Sequence, residues 1–370
     1  MNIPNENLIN KRVIVGLSGG VDSAVAALLL KQQGADVQAL HMTNWNDEDG
    51  YCNAADDLQD AKKVCNKLSI PLHHVNFSKE YAELVFKHFL HEYKNGRTPN
   101  PDILCNREIK FGVFKKYAKR LGAEFIATGH YAKLNKNAQS TELVKPKDKS
   151  KDQTYFLHAV NEDAFRDTLF PLCDLTKNEV RDMAKMNGLS NYDKKDSTGI
   201  CFIGERPFRE FLEKYLPAQP GPMIDNNDNV IGQHQGLMYY TIGQRQGLNI
   251  GGRKESDNKP WYVLNKDLAS NTLIVVQGDH NDLYAQSLIV SDFSWIGTAK
   301  ELILSTKVIH CHGKVRYRQP DQACQAELIE GNKIKVIFNE PQRAITEGQA
   351  AVLYIDDRCL GGGSIDEVIK

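Results

Sequence analysis

Up to about residue 205 the chain sets short, solid apolar runs against segments whose apolar residues recur every three or four positions. A solid run suits a strand covered on both faces, and the longer period suits a helix with one buried stripe. Residues 13–17 (VIVGL) read as a buried strand, followed by a glycine-rich turn and a helix over 23–33 that Gly34 ends. Residues 37–42 read as a second strand. The next helix covers 54–68, with Ala54, Leu58, Ala61, Val64, Cys65 and Leu68 on one side. Residues 73–77 and 125–128 read as further strands. Between them, 108–121 forms a basic amphipathic helix with Ile109, Val113, Tyr117 and Leu121 four apart. Strands alternating with helices predict a parallel sheet with crossover helices, an α/β domain.

Beyond Pro207 the rhythm changes. Residues 217–260 are rich in Gly, Pro, Asn and Gln, and their helical periodicity fades. From Trp261 onward short β-type runs follow at 261–264, 272–276, 288–292, 307–312, 325–328, 334–338 and 350–355. Turn residues separate them, which predicts a small C-terminal β-barrel. The expected division is an α/β domain over 1–207, a small central domain over 208–285 and the barrel over 286–370.

Composition narrows this picture without redirecting it. At ~150 residues per domain, 370 residues fit two or three domains. Charged residues make up 25% of the chain, so a mostly disordered polymer is excluded. The longest apolar run, 24–30, has seven residues against the ~20 of a membrane helix. The N-terminal MNIPNENLINKR has no apolar stretch of the signal-peptide kind, so the expected location is cytoplasmic. Lys and Arg number 46 and Asp and Glu 47, so net charge announces no nucleic-acid binder. Locally, however, 107–120 carries six basic residues and one acidic, and 133–151 six basic and two acidic. The acidic run Asn46-Asp47-Glu48-Asp49 reads as a solvated loop. The eight cysteines contain no CxxC pair, which disfavours zinc ribbons and a disulfide scaffold. In a strand, His310 and His312 share a face opposite Cys311, so these three do not converge on a metal. No metal ligand is assigned.

Chemistry concentrates at three places. Ser18-Gly19-Gly20-Val21-Asp22-Ser23 falls between the first strand and the first helix. Glycines there let backbone N–H groups approach a phosphate, and the helix start adds the positive end of its dipole. It is neither a Walker A nor a GxGxxG sequence. Cys105, in Asn100-Pro101-Asp102-Ile103-Leu104-Cys105, is expected in a turn just ahead of the basic helix. With Arg107 beside it, it is placed for thiolate character, and Asp102 is within reach as a proton carrier. Cys201 lies in STGICFIG, flanked by glycines and by Lys194, Lys195 and Arg206. A phosphate loop with two potentially reactive thiols suits adenylation followed by sulfur transfer: AMP makes an oxygen a leaving group, a persulfide displaces it, and a second thiol resolves the product.

SGGVDS resembles the PP-loop of the ATP pyrophosphatases, which cleave ATP between the α and β phosphates. The ordered run GLSGGVDS, HMTNW, GYCNAADDLQDAKKVC, GRTPNPDILCNREIKF, ATGHYA, KDQTYFL, TGICFIG, YTIGQRQGLNIGG, KVRYRQ and EGQAAVLY is similar to the bacterial tRNA-specific 2-thiouridylase family over almost the entire chain. The resemblance implies a Rossmann-like PP-loop domain and ATP bound by Gly16, Leu17, Ser18, Gly19, Gly20, Val21, Asp22, Ser23, Met42 and Gly129. It implies Mg2+ arriving with ATP. Cys105 would be the nucleophile and Cys201 the persulfide carrier, the two pairing as a disulfide at one stage. Asn100, Pro101 and Asp102 would face the target base, with Asp102 as acid/base. His130, Lys151, Asp152, Gln153, Arg316, Tyr317 and Gln349 would contact tRNA. The implied partners are tRNA, whose wobble uridine is modified, and a persulfide-donor protein, with no membrane. Other readings are a PP-loop ligase acting on a small molecule, a non-catalytic RNA-binding protein, and a 4-thiouridine synthase. The last is disfavoured because no rhodanese-like C-terminal half is apparent.

Overall fold

The computed structural model describes residues 7–45, 54–195, 207–250 and 259–370. Cys52, Cys201 and the acidic run from Asn46 to Asp49 therefore lie outside the described residues.

Strands β1 (Arg12–Gly16), β2 (Asp36–Thr43), β3 (Leu72–Asn76) and β4 (Phe125–Ala127) run parallel in the order β3–β2–β1–β4, with the short strand Thr168–Leu169 beyond β4. Each of the four lies within a residue or two of its sequence-predicted span. The solid apolar run of β1 is explained by its central place. Val13 and Val15 pack on one face with helix α1 (Val21–Gln32), while Ile14 packs on the other with Ile109 and Phe114. Helix α2 (Ala54–Leu68) follows β2 with the predicted bounds. The chain crosses from β1 outward to β2 and β3, then returns to the opposite side of β1 as β4. That reversal opens a crevice at the carboxyl ends of β1 and β4, where open α/β sheets bind ligands.

One expectation is corrected here. Cys105 is not in a turn ahead of a helix beginning at Glu108. A continuous helical stretch already starts at Pro101 and ends at Arg120, with Cys105–Val113 wound at the wider π-type pitch. The start signals are local: the Asn100 side chain accepts the Asp102 N–H at 3.2 Å, and Pro101 occupies the first helical position.

The C-terminal strands form a closed barrel of six: Tyr284–Trp295, Val308–Lys314, Gln322–Leu328, Ile334–Arg343, Ala350–Ile355 and Arg358–Ile369. Pairing of Tyr284–Trp295 with Arg358–Ile369 closes it. The α/β domain adds a hairpin, Lys133–Lys136 with Thr141–Val144, whose second strand joins Arg358–Ile369. Strands Gly221–Ile224, Val230–His234, Trp261–Asp267 and Thr272–Gln277 make a separate four-stranded sheet with its own small core. Cys311 points inward between the exposed His310 and His312, and its Sγ lies 3.7 Å from that of Cys324 on the paired strand. Among the described residues no helix is long and apolar enough to cross a membrane.

Candidate nucleotide and thiol site

The glycine-rich loop joins β1 to α1 at the crevice. The Leu17 N–H donates to Leu40 O at 3.1 Å, and buried His41 lies with Nδ1 2.8 Å from Leu17 O. Burial lowers the His41 pKa, so its neutral ring holds that carbonyl as a donor. Gly19 adopts φ +83°, and a Cβ there would sit 2.4 Å from Asp57 O, so α2 presses against the loop and only glycine fits. Gly20 is the N-cap of α1, and no side chain caps the helix there. The Ser23 hydroxyl donates to Gly20 O at 3.1 Å and accepts the Ser18 N–H at 3.2 Å, curling the loop around the helix start. Gly129, in the turn after β4, closes the other side: a Cβ there would lie 2.7 Å from Ser23 N. Gly16 and Met42 stand at the carboxyl ends of β1 and β2. The structure thus brings the loop from Gly16 to Ser23 and Gly129 together at one helix N-terminus, a geometry fit for phosphate, while Met42 stands at the end of β2 and packs on the sheet face opposite α1.

The carboxylate of Asp22 faces sideways. Lys177 Nζ donates to both its oxygens at 2.7 Å and Tyr131 Oη to one at 2.9 Å. Sequence reasoning missed Lys177. Its signal was the Thr176–Glu179 capping box that starts the helix Lys177–Met186. Asn191, also missed, donates from Nδ2 to Gly19 O at 2.9 Å. Lys194 bridges Asp57 and Asp60 of α2 at 2.8 and 2.7 Å, tying the residues that precede the Cys201 segment to the helix touching the loop.

Cys105 is 4% exposed and packs in the α/β core. Arg107 is turned to Glu108 at 2.7 Å. Asp102 is partly buried, and desolvation raises its pKa while Lys110 opposes the shift. Asn106, one residue beyond Cys105, donates to Phe156 O at 3.1 Å, linking this helix to the segment after Lys151-Asp152-Gln153. Cys201 lies outside the described residues.

The residues that the resemblance assigns to tRNA fall into two groups. Lys151, Gln153, Arg316, Tyr317 and Gln349 retain partial or full exposure. Arg316 and Tyr317 sit in the turn after strand Val308–Lys314, with Arg316 Nη2 2.5 Å from Ala344 O and the Tyr317 ring 4.4 Å from that of Phe156. His130 and Asp152 are buried. His130 lies 2.7 Å from Thr128 Oγ1, between Phe111 and Phe170, and burial drives its pKa well down, so it brings no positive charge to a phosphate. Asp152 Oδ1 accepts the Thr154 N–H at 3.0 Å and hydroxyl at 2.7 Å, and its other oxygen lies 3.7 Å from Lys314 Nζ.

A parallel sheet reversing at β1, with a glycine-rich phosphate loop at that reversal, defines a PP-loop nucleotide-binding domain. The family description "tRNA methyl transferase HUP domain" matches residues 11–205, "tRNA methyl transferase PRC-barrel domain" residues 209–277, and "Aminomethyltransferase beta-barrel domain" residues 285–365. The tRNA-specific 2-thiouridylase MnmA of Francisella tularensis subsp. holarctica is 55% identical over 96% of this chain and 99% of its own. That of Hahella chejuensis is 54% identical over 98% and 99%. The chain belongs to the tRNA-specific 2-thiouridylase family. A solved 4-thiouridine synthetase–RNA complex with bound ATP overlays 56% of this chain and 50% of its own at 21% identity, with a TM-score of 0.36, and no assignment rests on it.

Proposed function

We propose that this protein is an ATP-dependent sulfurtransferase that converts the 2-carbonyl of a tRNA wobble uridine to a thiocarbonyl. The observation that carries the reading is the α1 start bounded by Gly19, Gly20 and Gly129, with Asp102 and Cys105 on a helix of the same domain. ATP lies with its phosphates on the residues from Gly16 to Ser23 and its nucleoside toward Met42 and Gly129. Mg2+ comes with ATP. The one carboxylate on the loop, Asp22, is engaged by Lys177 and Tyr131, so a bound Mg2+ would be held through the ATP phosphates, whose charge it would neutralise.

Uridine O2 attacks the α-phosphorus, pyrophosphate leaves, and AMP is esterified to O2. The terminal sulfur of a persulfide on Cys201 attacks C2 and expels AMP, leaving the base linked through two sulfurs to Cys201. The Cys105 thiolate then attacks Cys201 Sγ. The outer sulfur stays on the base with the bond's electron pair, and a Cys105–Cys201 disulfide forms, to be reduced by a thiol. Asp102 carries the proton at the base. Asn100 and Pro101 bound the base pocket, and the uridine must leave the anticodon stack to enter it. Lys151, Gln153, Arg316, Tyr317 and Gln349 meet the RNA, where Arg and Lys neutralise phosphates and Tyr317 stacks.

Nucleoside mass spectrometry of tRNA incubated with enzyme, ATP and a persulfide donor tests this. The wild type yields 2-thiouridine, while Cys105→Ser and Cys201→Ser yield none and still bind ATP. Wild-type product from either variant refutes the two-thiol scheme. The family descriptions mention methyl transfer, and a methyl rather than a sulfur-for-oxygen mass gain would establish that reading instead.

A further inference from the structure

The segment that leads into Asn100-Pro101-Asp102 is fastened to the barrel as well as to its own domain. Arg97 donates Nη2 to Ile365 O at 2.8 Å and to Ser364 Oγ at 3.3 Å, and Nη1 to Asp366 Oδ1 at 3.4 Å, all on the last barrel strand. Its Nε is held at 2.9 Å by Glu92, on the helix Lys87–Lys94 of the α/β domain. One guanidinium therefore spans the two bodies, using its fork of donors at once. The next residue repeats the attachment through its backbone: the Thr98 N–H donates to Glu347 O at 3.0 Å, and Thr98 O accepts Gln349 Nε2 at 2.7 Å. Between those two partners, Gly348 takes φ +85°, and a Cβ there would lie 2.9 Å from Thr98 N and 3.0 Å from Arg97 Cβ. The barrel turn comes that close only because it carries glycine. Two residues beyond Thr98, the Asn100 side chain caps the helix bearing Asp102 and Cys105.

Resting on the proposed reaction, we infer that Arg97 is a positioning residue. Together with Gly348 it sets the place of Asn100, Asp102 and Cys105 relative to the barrel, so that the barrel's grip on RNA aligns the target base with the proton carrier and the thiol. Arg97 touches no reacting atom in this account. The effect runs through Thr98 into the helix start, and a displacement of about 1 Å at a reacting group costs roughly 100-fold in rate.

The test uses the full-length enzyme and two variants. Arg97→Met keeps the aliphatic stem and loses every side-chain hydrogen bond. Gly348→Ala keeps the guanidinium and pushes the turn off Thr98. Amide hydrogen exchange of the peptide covering residues 97–106 is expected to quicken in both variants, while the phosphate-loop peptide keeps the wild-type rate. With tRNA and ATP saturating, 2-thiouridine formation is expected to fall by roughly 100-fold in Arg97→Met. The tRNA KM and its salt dependence should stay put, and Arg97→Lys should recover part of the rate. Unchanged exchange over 97–106 overturns the inference. So does a loss confined to tRNA KM with a salt slope lower by about 1, which marks a phosphate contact. If the wild type forms no 2-thiouridine the proposed function fails, and the exchange experiment still decides the role of Arg97 in placing this segment.

Discussion

Asp102 shows what a single residue gives up for its post. Desolvation raises its pKa above the ordinary value of 3.8, so the folded state binds its proton more tightly than the unfolded chain does. The sign follows by linkage. Below pH 3.8 both states hold the proton and the group costs nothing; as pH climbs through the raised folded pKa the native carboxyl ionises in a poor environment and stability is lost. Asp102→Asn is therefore expected to melt at a higher temperature than wild type at pH 7 to 8, with the gain shrinking to nothing near pH 3.8, while thiolation falls sharply. Melting curves across that pH range check it, and an Asn variant less stable than wild type at neutral pH would contradict the assignment. The same residue was legible beforehand as a carboxylate near Cys105, because a separation of three positions is a short-range fact. The burial of His130 and Asp152 was not legible, because it depends on Phe170 and Lys314 arriving from far along the chain.

At the scale of elements, sequence patterning served best where burial was two-sided. β1 stood out as a solid apolar run, β2 as a mostly apolar one broken by Gln38 and His41, and α2 as a clean periodic stripe. The barrel strand Arg358–Ile369 went unread because its Gly361-Gly362-Gly363 stretch looks like a turn. Yet those positions need glycine: a Cβ on Gly361 would meet Ser294 O and one on Gly363 would meet Ser291 O, both closer than 2.5 Å. The hairpin from Lys133 to Val144 was hidden by its Lys and Asn content, since few of its residues are apolar and its second strand pairs with the far-off barrel strand Arg358–Ile369. Helix Lys177–Met186 gives the test at this scale. Thr176→Ala removes its cap and should cost about 1 kcal/mol of unfolding free energy with ATP handling little changed. Lys177→Met leaves the Asp22 carboxylate beside the phosphate loop with Tyr131 and without its cation, and should cost about 2 kcal/mol. It should also raise KM for ATP. Denaturant melts with AMP-release kinetics separate the two, and equal ATP kinetics in both variants would remove Lys177 from the loop's support.

Across the whole molecule, the α/β domain and the barrel share a buried charged seam. Lys145 bonds Asp321, Lys314 lies 3.4 Å from Asp321 and 3.7 Å from Asp152, and both lysines stand over the Tyr354 ring. Tyr354 in turn lies 3.2 Å from Thr154 Oγ1, whose hydroxyl is bonded to Asp152. Breaking such a seam on one side leaves an uncompensated charge, so Lys314→Met should destabilise by about 3 kcal/mol. Adding Asp152→Asn should return part of that loss, and a double-mutant cycle by chemical denaturation measures the coupling. Strict additivity would mean that the two charges do not support one another.

The central claim is that uridine O2 is activated as an AMP ester, and oxygen tracing tests it most directly. With tRNA carrying oxygen-18 at the 2-position of the wobble uridine, each 2-thiouridine formed should release one AMP bearing the heavy oxygen on its phosphate. Thiolated product accompanied by unlabelled AMP, or by ADP, would contradict it.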